Sequence, residues 1–276
     1  LDVIPRAGSG KFLPLHLIEA RADRTIPVLR WRCDDAFVHL PDHARERAAM
    51  AWCEDHLGAR LRALAPLFRH ALGGDFARVG DLSVFWPVQV SEDLVRRAPF
   101  VIELRNVPFE QQRQILFYAL DRLPRLSAIA LDATGNGAYL AEVTVQRYGA
   151  HRAEGIHLTE AWYRAHMPKL KAAFEDAGLT IPADAGVVDD FRQLELVRGV
   201  ARVPDKRQVA KGEDKDKAGG QRHGDAAIAA ALAIYAAGRD AGDGSFDGLP
   251  PPPPPAQRDF LGLGLGRGGG VADYLG

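Results

Sequence analysis

An α/β domain with a mixed sheet and helices on its faces is what this sequence predicts, and three observations predict it. Short β-rich segments bounded by turns stand at 82–90 and 100–107. Strand-like and helical segments then alternate as far as about residue 240. The alternation ends in "HGDAAIAAALAIYAAG", an alanine-rich stretch suited to a close-packed helix. Hairpin strands followed by strand–helix units give a mixed rather than purely parallel sheet.

From 1 to about 70 the chain has a Gly/Pro-containing entry, an extended candidate at "IPVLRWRC", and a helical pattern from about Asp42 to Phe68. In that pattern Ala48, Ala49, Trp52, Leu57, Leu61, Leu64 and Leu67 recur near helical spacing. This part reads as a connector packed on the main domain. The strand candidates "LSVFWPVQV" and "FVIELRNV" precede "PFEQQRQILFYALDRL", which opens on a proline as helix starts often do. There follow a strand at "SAIALD", a helix over "GAYLAEVTVQRYG", a strand at "AEGIHLT" and a helix at "EAWYRAHMPKLKAAFEDAG". A polar, basic-rich loop occupies about 204–222, ahead of the alanine-rich helix. The last stretch, with six consecutive prolines from Pro250 to Pro255 and a Gly/Leu repeat, cannot build a core and reads as a flexible tail. The expected division is a connector over 1–70, a main domain over 71–242 and the tail over 243–276.

The chain has 276 residues, 47% of them hydrophobic, enough for one substantial core. Its 35 Lys plus Arg nearly cancel 36 Asp plus Glu, so no global field attracts or repels a polyanion and any nucleic-acid surface must be local. Cys33 and Cys53 form no CxxC pair, and no secretory leader precedes them, so a reducing, cytoplasmic setting is expected. No apolar run approaches the roughly 20 residues that span a bilayer, and no membrane partner is expected. The opening Leu in place of Met points to a trimmed chain or to the C-terminal piece of a longer one.

Three aspartates carry the chemistry. In "LDATGNG" Asp132 closes an apolar strand, ahead of a loop with no bulk. Taken alone, such a residue bonds its own turn, with Gly135 and Gly137 supplying turn geometry. "GGDFARVGDLSVFW" puts Asp75 after two glycines, where small neighbours would let a ligand approach the backbone. "RHGDAAIAAALA" puts Asp225 in the first turn of an apolar helix, and alone it complements the helix dipole. Together, two strand carboxylates and one helix carboxylate converging at a sheet edge would make an oxygen-rich pocket for hard divalent ions. Crowded like charges are costly without a cation. Two ions about 4 Å apart can activate a water and stabilise the leaving oxygen of a phosphodiester.

The order GGDFAR(x)GDLSV, LDATGNG, RHGDAAIAAALA resembles the C-terminal nuclease domain of tailed-phage large terminase subunits, in particular the Mu-like prophage type. The resemblance covers roughly 70–240 and extends weakly over 1–70. It implies a ribonuclease H-like fold and a metal-dependent endonuclease that cuts double-stranded phage DNA during packaging. It implies Asp75, Asp132 and Asp225 as the catalytic, metal-binding triad, with two Mg2+ or Mn2+ ions. The implied partners are DNA, a terminase ATPase domain, the small terminase subunit and the portal, and the implied place is the host cytoplasm at the procapsid. The rivals are another ribonuclease H-like nuclease, such as a resolvase, and a non-catalytic module docking DNA and portal.

Other motifs carry less. "RAGSGKF" fails as a phosphate-binding loop, because Pro5 stands where the first glycine belongs and Phe12 replaces the magnesium-binding hydroxyl. His39 and His43 lack the partners of a zinc site. Asp34–Asp35 and Asp189–Asp190 read as solvated pairs or helix starts, and Asp81 as a support to the triad. Arg198, Arg202, Lys206, Arg207, Lys211, Lys215, Lys217 and Arg222, with Arg192 upstream, form a basic run broken by Asp205, Glu213, Asp214 and Asp216. Interrupted in this way, the run reads as a solvated loop or, because it ends beside Asp225, as an arm that could hold phosphates without reading bases.

Overall fold

The computed structural model describes residues 11–76, 82–204 and 222–239. The tail, Asp81, most of the GSGK stretch and residues 205–221 of the basic run lie outside the described residues.

A short helix α1 (Leu15–Glu19) leads to strands β1 (Ala22–Asp23) and β2 (Val28–Arg32). Helix α2 (Asp42–Cys53) passes through one π-helical turn, Glu54–Gly58, into α3 (Ala59–Arg62), and the helical pattern expected as far as Phe68 is corrected: it stops at Arg62, ahead of Pro66, and leaves Leu64 and Leu67 beyond the helix. Strands β3 (Arg69–Asp75), β4 (Leu82–Val90), β5 (Arg96–Arg97) and β6 (Val101–Arg105) come next, then α4 (Phe109–Leu120), β7 (Leu126–Asp132), α5 (Ala138–Tyr148) and β8 (Ala153–Ile156). Helix α6 (Glu160–Glu175), β9 (Leu179–Pro182), α7 (Ala185–Arg192), the hairpin β10 (Glu195–Val197) and β11 (Val200–Arg202), and α8 (Asp225–Gly238) complete it.

The central strands run in the order β6-β4-β3-β7-β8, with β4 alone antiparallel to the rest. In chain order that is third, second, first, fourth and fifth, the ribonuclease H-like arrangement. The N-terminal segment continues this sheet: β2 pairs with β6, and β1 pairs with β9, which joins through β5. Pro87, inside the central strand β4, falls between the residues that pair with β6 and those that pair with β5. A missing N–H is tolerated at such a break.

Strand periodicity sends alternate side chains into two cores. Ala71, Val84, Trp86, Val88, Ala128 and Ala130 face one core with α6, α7 and α8. Leu72, Phe85, Ile102, Leu104, Ile129 and Leu131 face the other, with α2, α4 and α5. Burial on both faces explains the nearly continuous apolar runs of β4 and β7. Cys33 and Cys53 are both buried and unbridged, and burial pushes each thiol up to about 12, away from reactivity.

The glycines of "GGD" serve packing. A Cβ on Gly73 would lie 2.1 Å from the Ala229 carbonyl oxygen and 2.2 Å from the Ala233 nitrogen, so only glycine lets the backbone of α8 rest on β3. The expectation that these small residues admit a ligand is corrected: Gly73 admits a helix, and Gly74 packs against the side chains of Leu131, Phe76 and Phe85. In "LDATGNG", Gly137 turns so tightly that a Cβ would lie 2.1 Å from the Asp132 carbonyl oxygen.

Candidate metal centre and its charged surround

Asp75 and Asp132 end parallel neighbouring strands. Gly73 stands opposite Ala130 and Gly74 opposite Leu131, so one step on the two aspartates stand side by side at one sheet edge. Both share a face with the residues under α8, since Asp75 alternates with Gly73 and Asp132 with Ala130. Asp225 is the first residue of α8, one turn before Ala229, which rests over Gly73. The fold thus carries all three to the same edge by three separate elements.

Their electrostatics agree with that placement. Burial pushes the Asp75 carboxyl well above the usual range, and the charges of Asp225 and then Asp132 push it further. Burial also raises Asp132, against the hydrogen bonds from Thr134 and the nearby His157. Asp225 is pushed up to about 6, chiefly by burial, with Asp190 adding and Arg222 opposing. Asp132 and Asp225 are 9% and 8% exposed, and Asp75 is partly exposed.

Asp132 does bond its own turn, its Oδ1 accepting from the Thr134 amide at 2.8 Å. Asp225 turns Oδ2 back to the His223 amide at 3.1 Å. No Lys or Arg forms an ion pair with any of the three among the described residues. Also among the described residues, no three His, Cys, Asp or Glu side chains stand together as a ready-made grip for one ion. The donor chemistry nevertheless fits a hard divalent cation, because the centre is built of carboxylate oxygens whose mutual repulsion a cation would relieve.

The lesser candidates fall elsewhere. His39 ends a 3-10 turn, His43 lies in the first turn of α2, and both are exposed. Asp34 caps that 3-10 turn through the Phe37 amide at 2.9 Å, and Asp35 accepts from Asn106 at 2.9 Å. Asp189 pairs on the surface with Arg192 at 3.1 Å. Asp190 corrects the solvated reading, because it is fully buried.

Sequence reasoning passed over the surround of the centre. Arg222 turns inward, its Nη2 2.7 Å from Glu103 Oε1 and 2.7 Å from Asp190 Oδ2. Glu103, 2% exposed, also accepts from Arg30 Nε at 2.8 Å, and Arg30 Nη2 reaches Asp184 Oδ1 at 2.6 Å. One signal was available for Glu103: a lone acid in the apolar strand "FVIELRNV", where an unpaired charge is hardly ever buried. Asp190 shares a helical spacing with the apolar Val187, Phe191 and Leu194, a second such signal.

No family model matches the chain. It is 44% identical over 254 residues to the probable terminase, large subunit gp28, of Escherichia phage Mu, covering 90% of this chain and 45% of that protein. It is 39% identical over 247 residues to the Mu-like prophage FluMu protein gp28 of Haemophilus influenzae, covering 90% of this chain and 47% of that one. The chain therefore spans just under half the length of these curated relatives. Among solved structures, the magnesium-bound large terminase nuclease of thermophilic phage G20c aligns at 18% identity and a TM-score of 0.47, over 62% of this chain and 82% of that one. So slight a structural likeness carries no argument about function.

Proposed function

The chain is a relative of the large terminase subunits of Mu-like phages, and from that premise we propose that it is their nuclease part: a metal-dependent endonuclease cutting double-stranded phage DNA during packaging. One observation carries the reading. Two strand ends and a helix start bring Asp75, Asp132 and Asp225 to one sheet edge, where burial raises all three carboxyl pKa values and the charges of Asp225 and Asp132 raise that of Asp75 further. Such perturbed groups gathered at an edge mark a functional site.

In this reading the three carboxylates hold two Mg2+ or Mn2+ ions. Divalent ions bound there supply a more acidic attacking water and charge stabilisation for the departing 3′ oxygen. The protein's own part is placement. Parallel β3 and β7 fix Asp75 and Asp132 side by side, the turn bond to Thr134 orients the Asp132 carboxylate, and α8 presents Asp225 from above. No protein nucleophile is required. DNA contact falls in this reading to the Lys and Arg residues of the run over 206–217, which the sequence sets ahead of Asp225, through phosphates rather than bases. A terminase ATPase domain, the small subunit and the portal are the partners this reading carries, and the host cytoplasm at the procapsid is its place of action. The proposed boundaries are a connector over 1–70, the nuclease over 71–242 and a tail over 243–276.

The test is plasmid nicking with manganese by the wild type and by Asp132→Asn. Loss of cleavage to background in the variant supports the reading. Cleavage undiminished in Asp132→Asn refutes it, because Asn keeps the turn bond but not the ligand charge.

A further inference from the structure

Beside the three acids lies a charge network, buried at Glu103 and Asp190 and half exposed at Arg30, with no part in that mechanism. Its links run in a line. Asp184 caps α7 through the Gly186 and Val187 amides at 3.0 and 3.2 Å, and meets Arg30. Arg30 meets Glu103, Glu103 meets Arg222, and Arg222 forks onto Asp190, with Nε 3.0 Å from Oδ1 and Nη2 2.7 Å from Oδ2. The same Oδ2 of Asp190 accepts the Ala226 amide, in the first turn of α8, at 3.0 Å.

Stability does not account for such a device. Two carboxylates at 2% and 0% exposure are costly to desolvate, and apolar replacements of buried ion networks are often neutral or stabilising. What the network does is fix an arrangement. The residue before α8, Gly224, has no side chain to cap it, so Asp190 caps the helix from α7 instead. Asp225 is thereby relieved of the usual duty of an acid at a helix start. Gly224 also takes a left-handed φ of +76°, and a Cβ there would lie 2.4 Å from Val203 Cγ2. The chain thus reverses within two residues between Arg222, anchored inward, and Asp225, at the sheet edge. So short a lever makes the anchor of one set the place of the other.

We propose that Arg222, clamped between Glu103 and Asp190, is a positioning residue that locks the start of α8 and so sets Asp225 against Asp75 and Asp132. This rests on the reading of the three acids as a divalent-metal centre. Supporting residues of this kind typically change metal affinity by about 10- to 100-fold when replaced.

The experiment titrates the full chain with manganese alone and follows thermal stabilisation, with nicking measured in parallel. Arg222→Gln should raise the half-stabilising manganese concentration about tenfold or more, and Arg222→Lys, which keeps the charge without the fork, by less. Nicking should fall in step and recover in part at high manganese. A purely architectural Arg222 would lower the melting temperature and leave the manganese titration where it was, which overturns the proposal. Asp132→Asn separates the two claims. If manganese stabilises the wild type and not Asp132→Asn, the metal centre stands, and an unshifted Arg222→Gln then overturns only the positioning role. If manganese does not stabilise the wild type, both fall. Should Arg222→Gln fail to fold, Asp190→Asn, which keeps an acceptor for Ala226, takes its place and should show the same shift. Failure of both to fold makes the network a folding requirement and overturns the proposal.

Discussion

Asp225 shows how one residue's environment decides between two meanings. An acid at a helix start is ordinarily explained by the helix dipole, which stabilises the charged form and lowers the pKa. Here the carboxyl moves the other way, up to about 6, because burial among other acids outweighs the helix start. Its folded pKa lies above its unfolded value near 4, so the folded state binds more protons between those values. Stability from this group is therefore present below about pH 4 and is lost as pH rises toward 6. The shift amounts to roughly 2–3 kcal/mol. Metal-free protein should accordingly melt higher at pH 5 than at pH 7.5, and Asp225→Asn should reduce that difference while abolishing nicking. Asp75 and Asp132 move in the same direction. A variant that melts lower than wild type at pH 7.5 would show that the Asp225 charge supports the fold instead of straining it.

At the scale of elements, α8 and β3 form the joint on which the centre depends. With the Ala229 oxygen 2.1 Å from where its Cβ would stand, Gly73→Ala must push α8 off the sheet and carry Asp225 with it. The expected outcome is a loss of about 3 kcal/mol in stability, measured by denaturant unfolding, with nicking reduced further than the stability loss explains. A Gly73→Ala protein of wild-type stability and activity would contradict this packing. The elements themselves were mostly legible. "LSVFWPVQV" is β4, residue for residue, and "HGDAAIAAALAIYAAG" contains α8. The helix at 160–175 was legible too, although Pro168 lies inside it. Strands of two residues, β1 and β5, were not legible, because they are too short for any periodicity and exist through their neighbours' pairing. The triad's positions stood out as acids at element ends. The ion network did not, because Arg222 sits in a basic run that reads as solvent-facing until Glu103 and Asp190, 119 and 32 residues away, are brought to it.

At the scale of the whole chain, the 254 and 247 aligned residues cover just under half the length of the two curated relatives. No described helix is long and apolar enough to cross a membrane. The Pro/Gly composition beyond residue 242 supplies no foldable core, so truncation there should leave the melting temperature and nicking unchanged. A collapsed thermal transition in the truncated protein would show that the segment is part of the fold. The central claim is that Asp75, Asp132 and Asp225 are one divalent-metal centre, and the most direct test is anomalous diffraction from crystals soaked in manganese. Manganese peaks are expected between these three carboxylates and are lost in Asp132→Asn. Ordered manganese bound elsewhere, with none among the three carboxylates, would contradict it.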